Sequence, residues 1–254
     1  MANEKIFENK AAKYADGRPS YAPEMINMLI DEILPENGIV ADIGSGTGVL
    51  AKEFVQEGYE TYAVEPNSDM RKKAEDNLSK YLPFHSIDAS AENTGLSDNS
   101  ISLITVASAF HWFDAAEFKR ECARILDGNG VVCIIYNVRV YDEFYQKQCE
   151  ISEKYCEEFE SLTHGYDKTA NLLERFFSGT YATYEYDFPL EYTKKKFISR
   201  CLSSSYAPLP DSNNYDPYVC ELNALLDETF KEDMFKIANK TVMFVGKVNY
   251  AIPI

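Results

Sequence analysis

Short apolar runs alternate with amphipathic stretches through the first half of the chain. Runs rich in β-branched and aromatic residues predict buried strands, and segments with apolar positions three and four residues apart predict helices. This alternation is typical of a doubly wound α/β core, in which helices cover both faces of a parallel sheet. The predicted strands are 39–43, 61–64, 84–87, 101–106 and 131–136, and the predicted helices are 49–57, 68–82 with Ser68 as N-cap, and 115–126.

The pattern changes after Asn137. The second half predicts a long charged helix over 141–161 and an aromatic-rich extended run over 181–192. Two further helices are predicted over 195–205 and 218–231, and a last strand over 241–250. Such an ending suits a long β-ribbon that has helices inserted before its last strand and lies over the edge of the sheet. Its many aromatic residues fit either ordinary core positions or a lid over an apolar or cationic substrate.

Composition narrows the class of protein. The chain has 41 acidic and 25 basic residues among 254, a formal charge of −16, and 45% hydrophobic residues. The apolar content excludes intrinsic disorder, and the longest apolar run, 131–136, is far shorter than the roughly 20 residues of a membrane-spanning helix. A dispersed negative charge repels phosphate backbones, so we expect neither nucleic acid nor a membrane as partner.

The six cysteines include no CxxC pair, and the first thirty residues lack the pattern of a signal peptide. Both features favour a reduced, cytoplasmic setting. No cluster of His, Cys and acidic residues has the spacing of metal ligands, so no metal is expected. The sequence indicates no oligomeric state.

The most informative segment is the glycine-rich turn after the first predicted strand, Asp42-Ile43-Gly44-Ser45-Gly46-Thr47-Gly48. Glycines at such a turn let the backbone approach a ligand, and the amides of the following helix favour an electron-rich group. The spacing is G-x-G-x-G rather than the G-x-G-x-x-G of dinucleotide enzymes. Asp42 places a negative charge at the rim, which suits a cationic ligand, and Glu65 ends the second strand, where a carboxylate can accept both hydroxyls of a ribose.

These residues resemble the class I S-adenosylmethionine-dependent methyltransferases, in the small-molecule branch called methyltransferase type 11. Segment 40–48 is similar to the family's motif I, and Ala63-Val64-Glu65-Pro66 to its motif II. Further similar segments are 14–21, 89–92, 109–114, 126–132 and 241–247. The resemblance implies a Rossmann-like, mostly parallel seven-stranded sheet with an antiparallel last strand and helical lid elements. It also implies one domain over 1–254, with a flap over 1–37, a cofactor core over 38–137, a substrate side over 138–240 and the last strand over 241–254.

The resemblance assigns S-adenosylmethionine as the cofactor and gives roles to matching residues. Asp42 and the backbone of the glycine loop are expected to hold the methionine moiety, and Glu65 the ribose. The family commonly has an Asp where this chain has Ser90, so either Ser90 or Asp88, two residues earlier on the same side of the strand, is expected to read the adenine. The full cofactor set is Tyr14, Asp42, Gly44, Ser45, Gly46, Glu65, Pro66, Met70, Asp88, Ser90, Ala91, Glu92 and Ala107.

Methyl transfer is an in-line displacement that depends mainly on orientation, and a general base is optional. His111 follows the fourth strand at its carboxyl end, so it is a candidate base or, alternatively, part of a hydrogen-bonded pocket wall with Trp112. Arg18 and Tyr21 are candidate clamps for a substrate carboxylate. The sequence thus predicts a methyltransferase for a small-molecule acceptor of unidentified atom type. Two alternatives are a catalytically silent cofactor-sensing or partner-binding module and an NAD(P)-dependent oxidoreductase, which the glycine spacing disfavours.

Overall fold

The computed structural model describes residues 20–248. The first half alternates strands and helices, as the apolar periodicity predicts, and the second half adds helices and an antiparallel ribbon. The strands are β1 Val40–Ile43, β2 Thr61–Val64, β3 Phe84–Ile87, β4 Ile101–Ala107, β5 Leu126–Arg139, β6 Ala182–Asp187, β7 Leu190–Thr193, β8 Met234–Ile237 and β9 Asn239–Gly246. The helices are α1 Pro23–Met28, α2 Val49–Gln56, α3 Ser68–Leu78, α4 Ala115–Ile125, α5 Glu143–Tyr155, α6 His164–Phe176, α7 Lys194–Leu202 and α8 Tyr215–Thr229. A π-helical turn, Leu29–Ile33, extends α1, and a 3₁₀ turn, Phe110–Trp112, follows β4.

Seven strands form one sheet in the order β3-β2-β1-β4-β5-β9-β6. The first five pair in parallel, and β9 pairs antiparallel with both β5 and β6. The mostly parallel seven-stranded sheet with an antiparallel last strand is therefore confirmed. Because the strand order reverses between β1 and β4, their carboxyl ends border the crevice where open α/β sheets bind ligands.

Hydrophobic residues cover both faces of the sheet, as near-continuous apolar strands require. Ile104 and Phe118 belong to the cluster under α4 and α6, whereas Leu103 and Phe54 belong to the cluster under α1 and α2. Adjacent residues of β4 thus point to opposite faces. The buried core fixes the register of the strands and hence the position of every loop at their carboxyl ends.

The remaining strands form one long, bent antiparallel ribbon. Asp187 pairs with Lys240 in the main sheet, and Leu190 pairs with Ile237 in a separate two-stranded sheet, so the register is the same on both sides of the bend. Pro189 lies at the bend, where it has no N–H to donate to a ladder. Helices α7 and α8 are inserted between the two strands of the distal half, as the sequence predicts, and form a third core with α5.

Four local predictions are wrong. The helix expected over 68–82 ends at Leu78. The N-cap of α3 is Asn67 rather than Ser68, because the Asn67 side chain accepts hydrogen bonds from the amides of Asp69 and Met70. The long helix expected over 141–161 ends at Tyr155. A separate helix, α6 (His164–Phe176), lies in a segment where no helix was expected, and it packs against α4.

Buried Glu121 of α4 anchors the loop that follows β3. Its Oε1 accepts hydrogen bonds from the Thr94 amide at 2.8 Å and the Thr94 hydroxyl at 2.5 Å, and Arg124 donates to both carboxylate oxygens. Burial opposes ionisation of Glu121, but the hydrogen bonds from Arg124 and Thr94 outweigh it and lower its pKa. This network holds the loop that follows β3 against α4 at Thr94.

No helix within residues 20–248 has the length and apolar character needed to cross a membrane.

Candidate functional site at the carboxyl edge of the sheet

The glycine loop connects β1 to α2 in a backbone conformation that favours glycine. Gly44, Gly46 and Gly48 have φ angles of +67°, +56° and +79°. A Cβ atom on Gly44 would lie 2.7 Å from the Cβ of Ala109, and one on Gly48 would lie 2.7 Å from Cδ1 of Leu78. Two of the three glycines are thus required by packing as well as by backbone angle.

Asp42 lies inside the sheet, only 1% exposed, and not at the rim as the sequence suggested. Its Oδ1 accepts a hydrogen bond from the Thr105 hydroxyl at 2.8 Å, and among the described residues its Oδ2 has no hydrogen-bond partner. The pKa of this carboxyl is raised to about 7, mainly by burial and to a lesser extent by Glu65, while Thr105 and the Ala51 amide oppose the rise. A buried carboxylate with an unpaired oxygen is suited to a cationic ligand.

Glu65 ends β2 directly beside the glycine loop. Its Oε2 accepts a hydrogen bond from the Gly46 amide at 2.9 Å, and its Oε1 accepts one from the Asn67 amide at 2.8 Å. The side chain is 8% exposed, and burial raises its pKa against the effect of these two bonds. Met70, buried in the first turn of α3, and Pro66 follow it closely. The structure therefore brings motif I and motif II together through a direct hydrogen bond.

The predicted adenine segment follows β3. Asp88 is exposed and forms an ion pair with Arg71 at 2.8 Å, while Arg71 also donates to the carbonyl of Glu65. Ser90 is exposed on the same loop and Ala91 is buried. Glu92 accepts a hydrogen bond from the Asp114 amide. The loop thus lies next to β2, and its carboxylate at Asp88 is already paired with an arginine.

The turn after β4 carries the next group of predicted residues. Ala107 is the last residue of β4, and Ser108, which follows it, has a φ of +55°, a strained angle for a residue with a side chain. His111 lies in the 3₁₀ turn, and its Nδ1 is 2.9 Å from the hydroxyl of Tyr136. That hydroxyl lies 2.7 Å from the hydroxyl of buried Thr169 on α6. These contacts fix the orientation of the imidazole ring.

His111 and Trp112 border a cavity of about 170 Å³ between the sheet edge and α6. Gly165 lies directly on the histidine, because a Cβ there would be 2.7 Å from the imidazole Cε1. A second cavity of about 80 Å³ adjoins it beneath the distal ribbon. Ser108, Asn137 and Arg200 border both cavities, so the two lie side by side at the carboxyl ends of β4 and β5.

Of the two candidate clamps, Tyr21 is buried and borders the smaller cavity, with its hydroxyl 3.5 Å from that of Ser108. Arg18 and the predicted cofactor residue Tyr14 lie outside the described residues. Within residues 20–248, no group of three or more His, Cys, Asp or Glu side chains is arranged to hold a metal ion.

Two cavity residues were missed by sequence reasoning. Arg139 ends β5, and Arg200 lies on α7 in the inserted helices. The signal for Arg139 was available, since a charged residue at the carboxyl end of a buried strand faces the ligand side of an open sheet. Arg200 carried no such signal, because only the bend of the ribbon brings α7 to the sheet edge.

A family model described as a methyltransferase domain matches residues 41–134, which confirms the resemblance inferred from the glycine loop. An uncharacterized methyltransferase of Mycobacterium tuberculosis is 36% identical over 134 residues, 52% of this chain and 52% of that protein. An uncharacterized methyltransferase of Schizosaccharomyces pombe is 31% identical over 140 residues, 53% of each chain. This chain therefore aligns with about half the length of these relatives.

Solved structures share the fold over nearly the whole chain. A provisionally assigned type II methyltransferase from Anaeromyxobacter dehalogenans has a TM-score of 0.68 at 18% identity, over 91% of this chain and 98% of the other. The YcgJ protein from Bacillus subtilis has a TM-score of 0.55 at 18% identity, over 89% and 97%. At these identities the likeness concerns the fold alone.

Proposed function

We propose that this chain, whose residues 41–134 belong to the methyltransferase domain family, transfers a methyl group from S-adenosylmethionine to a small-molecule acceptor. The observation that carries the proposal is the buried Asp42 carboxyl beneath the glycine loop, with one oxygen unpaired among the described residues and Glu65 beside it. Pyrophosphate would be repelled by two adjacent carboxylates, whereas the cationic methionine moiety is attracted to them.

The residues at the site fit this cofactor in three respects. Asp42 offers an acceptor to the methionine ammonium group, and Glu65 offers a carboxylate to the ribose hydroxyls. The positive φ of Gly46 leaves its backbone open to close approach. When bound, S-adenosylmethionine supplies an electrophilic methyl group on a cationic sulfonium. Pro66 and Met70 are proposed to contact the adenine, with Ser90 or Asp88 accepting from its amino group.

The chain's own contribution to the reaction is orientation, exclusion of water and movement of one proton. The two adjoining cavities enclose an acceptor between the sheet edge, α6 and the inserted helices. Holding two reactants in line can supply about 7–11 kcal/mol of the barrier. His111, whose ring is fixed by the Tyr136 hydroxyl, is proposed to take a proton from an acceptor that must lose one.

Calorimetric titration of the full chain with S-adenosylmethionine, S-adenosylhomocysteine and NADH tests the cofactor. Saturable binding of the two sulfur compounds without binding of NADH is expected, and tight binding of NADH alone would overturn the proposal. Incubation with a methyl-labelled cofactor and fractionated metabolite extracts then tests transfer. Cofactor binding without labelled product from any fraction would favour the silent binding module instead.

Gly46→Val should abolish cofactor binding, because a branched side chain would occupy the ligand's space. Gly58→Val is the matched control, since Gly58 also has a positive φ, +87°, and a Cβ there meets nothing within 4 Å. Both variants carry the same kind of backbone strain, but only Gly46→Val should lose affinity. Equal affinity in the two variants would contradict the role given to Gly46.

A further inference from the structure

Arg139 occupies an unusual position in the smaller cavity. It is the last residue of β5, pairs in register with Asn239 of β9, and borders the cavity together with Tyr21, Tyr192 and Arg200. The rings of Phe144 and Tyr145 lie 5.4 Å and 5.8 Å from the centre of its guanidinium. The guanidinium is therefore held by packing at a fixed place at the edge of the sheet.

Among the described residues, hydrogen bonds reach this guanidinium on one side only. Nη1 donates a hydrogen bond to Oε1 of Gln148 at 3.0 Å, while Nε and Nη2 are buried and have no hydrogen-bond partner among the described residues. Nε and Nη2 form the side-on edge of an arginine, whose two N–H groups point in parallel and match the two oxygens of a carboxylate. Buried donors of a charged group are costly to leave unpaired, so this edge is prepared for a ligand.

No acidic side chain of the described residues fills that role. No carboxylate oxygen within residues 20–248 lies within 4.0 Å of the nitrogens of Arg139 or Arg200. The charge of nearby Asp142 favours the protonated form of Arg139, but its carboxylate already caps α5. It accepts a hydrogen bond from the Tyr145 amide at 2.7 Å. Arg200 donates to Ser204 at 3.3 Å. In a chain of net charge −16, two arginines at one cavity, neither of them ion-paired with a carboxylate of residues 20–248, mark a local positive site.

We propose that the methyl acceptor carries a carboxylate, which binds side-on to Nε and Nη2 of Arg139, with Arg200 supplying a second positive charge. The identification of the anion as the methyl acceptor rests on the proposed function, whereas the anion site itself rests on the cavity alone. Because Ser108, Asn137 and Arg200 border both cavities, the rest of the acceptor extends from the carboxylate towards His111. The acceptors are thus anionic small molecules.

Binding of phenylacetate, with its neutral analogue phenylacetamide and with inorganic phosphate as comparisons, tests the site without any methyl transfer. The readout is the Nε–H resonance of Arg139 in a spectrum of the full chain labelled with ¹⁵N-arginine. Phenylacetate should shift this resonance and bind at least about tenfold more tightly than phenylacetamide. Equal affinities would overturn the anion site, and tighter binding of phosphate would overturn the assignment to a carboxylate.

Arg139→Gln removes the reporting resonance, so the affinities of the variants are measured by calorimetry. Arg139→Gln should abolish the preference for the acid, and the exposed-arginine control Arg175→Gln should retain it. A preference that persists in Arg139→Gln would overturn the proposal. If thermal melting shows that Arg139→Gln does not fold, Arg200→Gln replaces it; this variant should bind phenylacetate at least about threefold more weakly, and unchanged affinity would contradict the proposal. S-adenosylhomocysteine is titrated separately into every variant, so loss of carboxylate binding with retained cofactor binding identifies the anion site alone.

Discussion

Replacement of Asp42 by asparagine removes a buried titrating group and keeps the size of its side chain. Burial raises the pKa of this carboxyl from its ordinary value of 3.8 to about 7, so between these values the unfolded chain is ionised while the folded protein stays protonated. The unfolded state therefore binds fewer protons, and the free energy of unfolding of the wild type falls as pH rises. From about pH 5 to about pH 8 this loss amounts to about 2.5 kcal/mol.

Urea denaturation of the wild type and Asp42→Asn at these two pH values measures the effect as a difference of differences. Asp42→Asn should lack this pH-dependent loss of stability, while the exposed control Asp211→Asn should retain it. Glu65 is present in all three proteins, so its own raised pKa cancels to first order. Equal pH dependence in the wild type and Asp42→Asn would refute the reasoning. Asp42→Asn should also bind S-adenosylhomocysteine at least about tenfold more weakly, because a charge-assisted contact is lost.

Three further substitutions have defined outcomes. Gly48→Ala should lower the free energy of unfolding by about 2–4 kcal/mol, because it combines backbone strain with a clash against Leu78; thermal unfolding measures it. Glu121→Gln should cost about 2–3 kcal/mol at neutral pH, and the difference should disappear in acid, as the lowered pKa of Glu121 is crossed; urea denaturation measures it. His111→Ala should lower turnover steeply and leave cofactor affinity unchanged, as followed by product formation and calorimetry.

The two stability substitutions each have a control within the chain. Gly58→Ala has backbone strain without a clash, so a cost equal to that of Gly48→Ala would contradict the packing argument. Glu117→Gln changes an exposed carboxyl on the same helix and should have little effect. Unchanged turnover in His111→Ala would contradict the role of His111 as a base and favour its alternative role in the wall of the pocket.

The core of the fold could be predicted from the sequence because local signals and burial agree there. Strands β2 and β3 have the predicted bounds, and the glycine loop lies between β1 and α2 as expected. Helix α6 was missed because its N-cap residue, Thr163, makes no capping hydrogen bond and Gly165 lies in its first turn. Its apolar face is stabilised by α4, a contact between segments far apart in sequence.

Within the site, too, sequence motifs identify some residues, whereas contacts between distant segments determine the surroundings of others. The acid at position 42 was recognised from its motif, but its burial and its bond to Thr105 depend on the pairing of β1 with β4. The surroundings of Arg139 also depend on packing, since Gln148 on α5 binds one side of its guanidinium and the distal ribbon forms part of its cavity. Residue spacing predicts the residues proposed for the cofactor, whereas packing alone assembles the cavity proposed for the acceptor.

The bent ribbon has a consequence for how such a protein can change its substrate. Helices α7 and α8 start and finish on β7 and β8, whose ladder continues in register into β6 and β9. Because the hydrogen-bonded ladder fixes both attachment points, the inserted helices can be exchanged without a change in the strands that carry them. Exchange of residues 194–233 between homologues should therefore alter the part of the acceptor preference that depends on Arg200, while leaving Arg139, the glycine loop, Asp42 and Glu65 in place. The proposed cofactor residues and one wall of the proposed acceptor cavity thus belong to structurally separate parts of the chain.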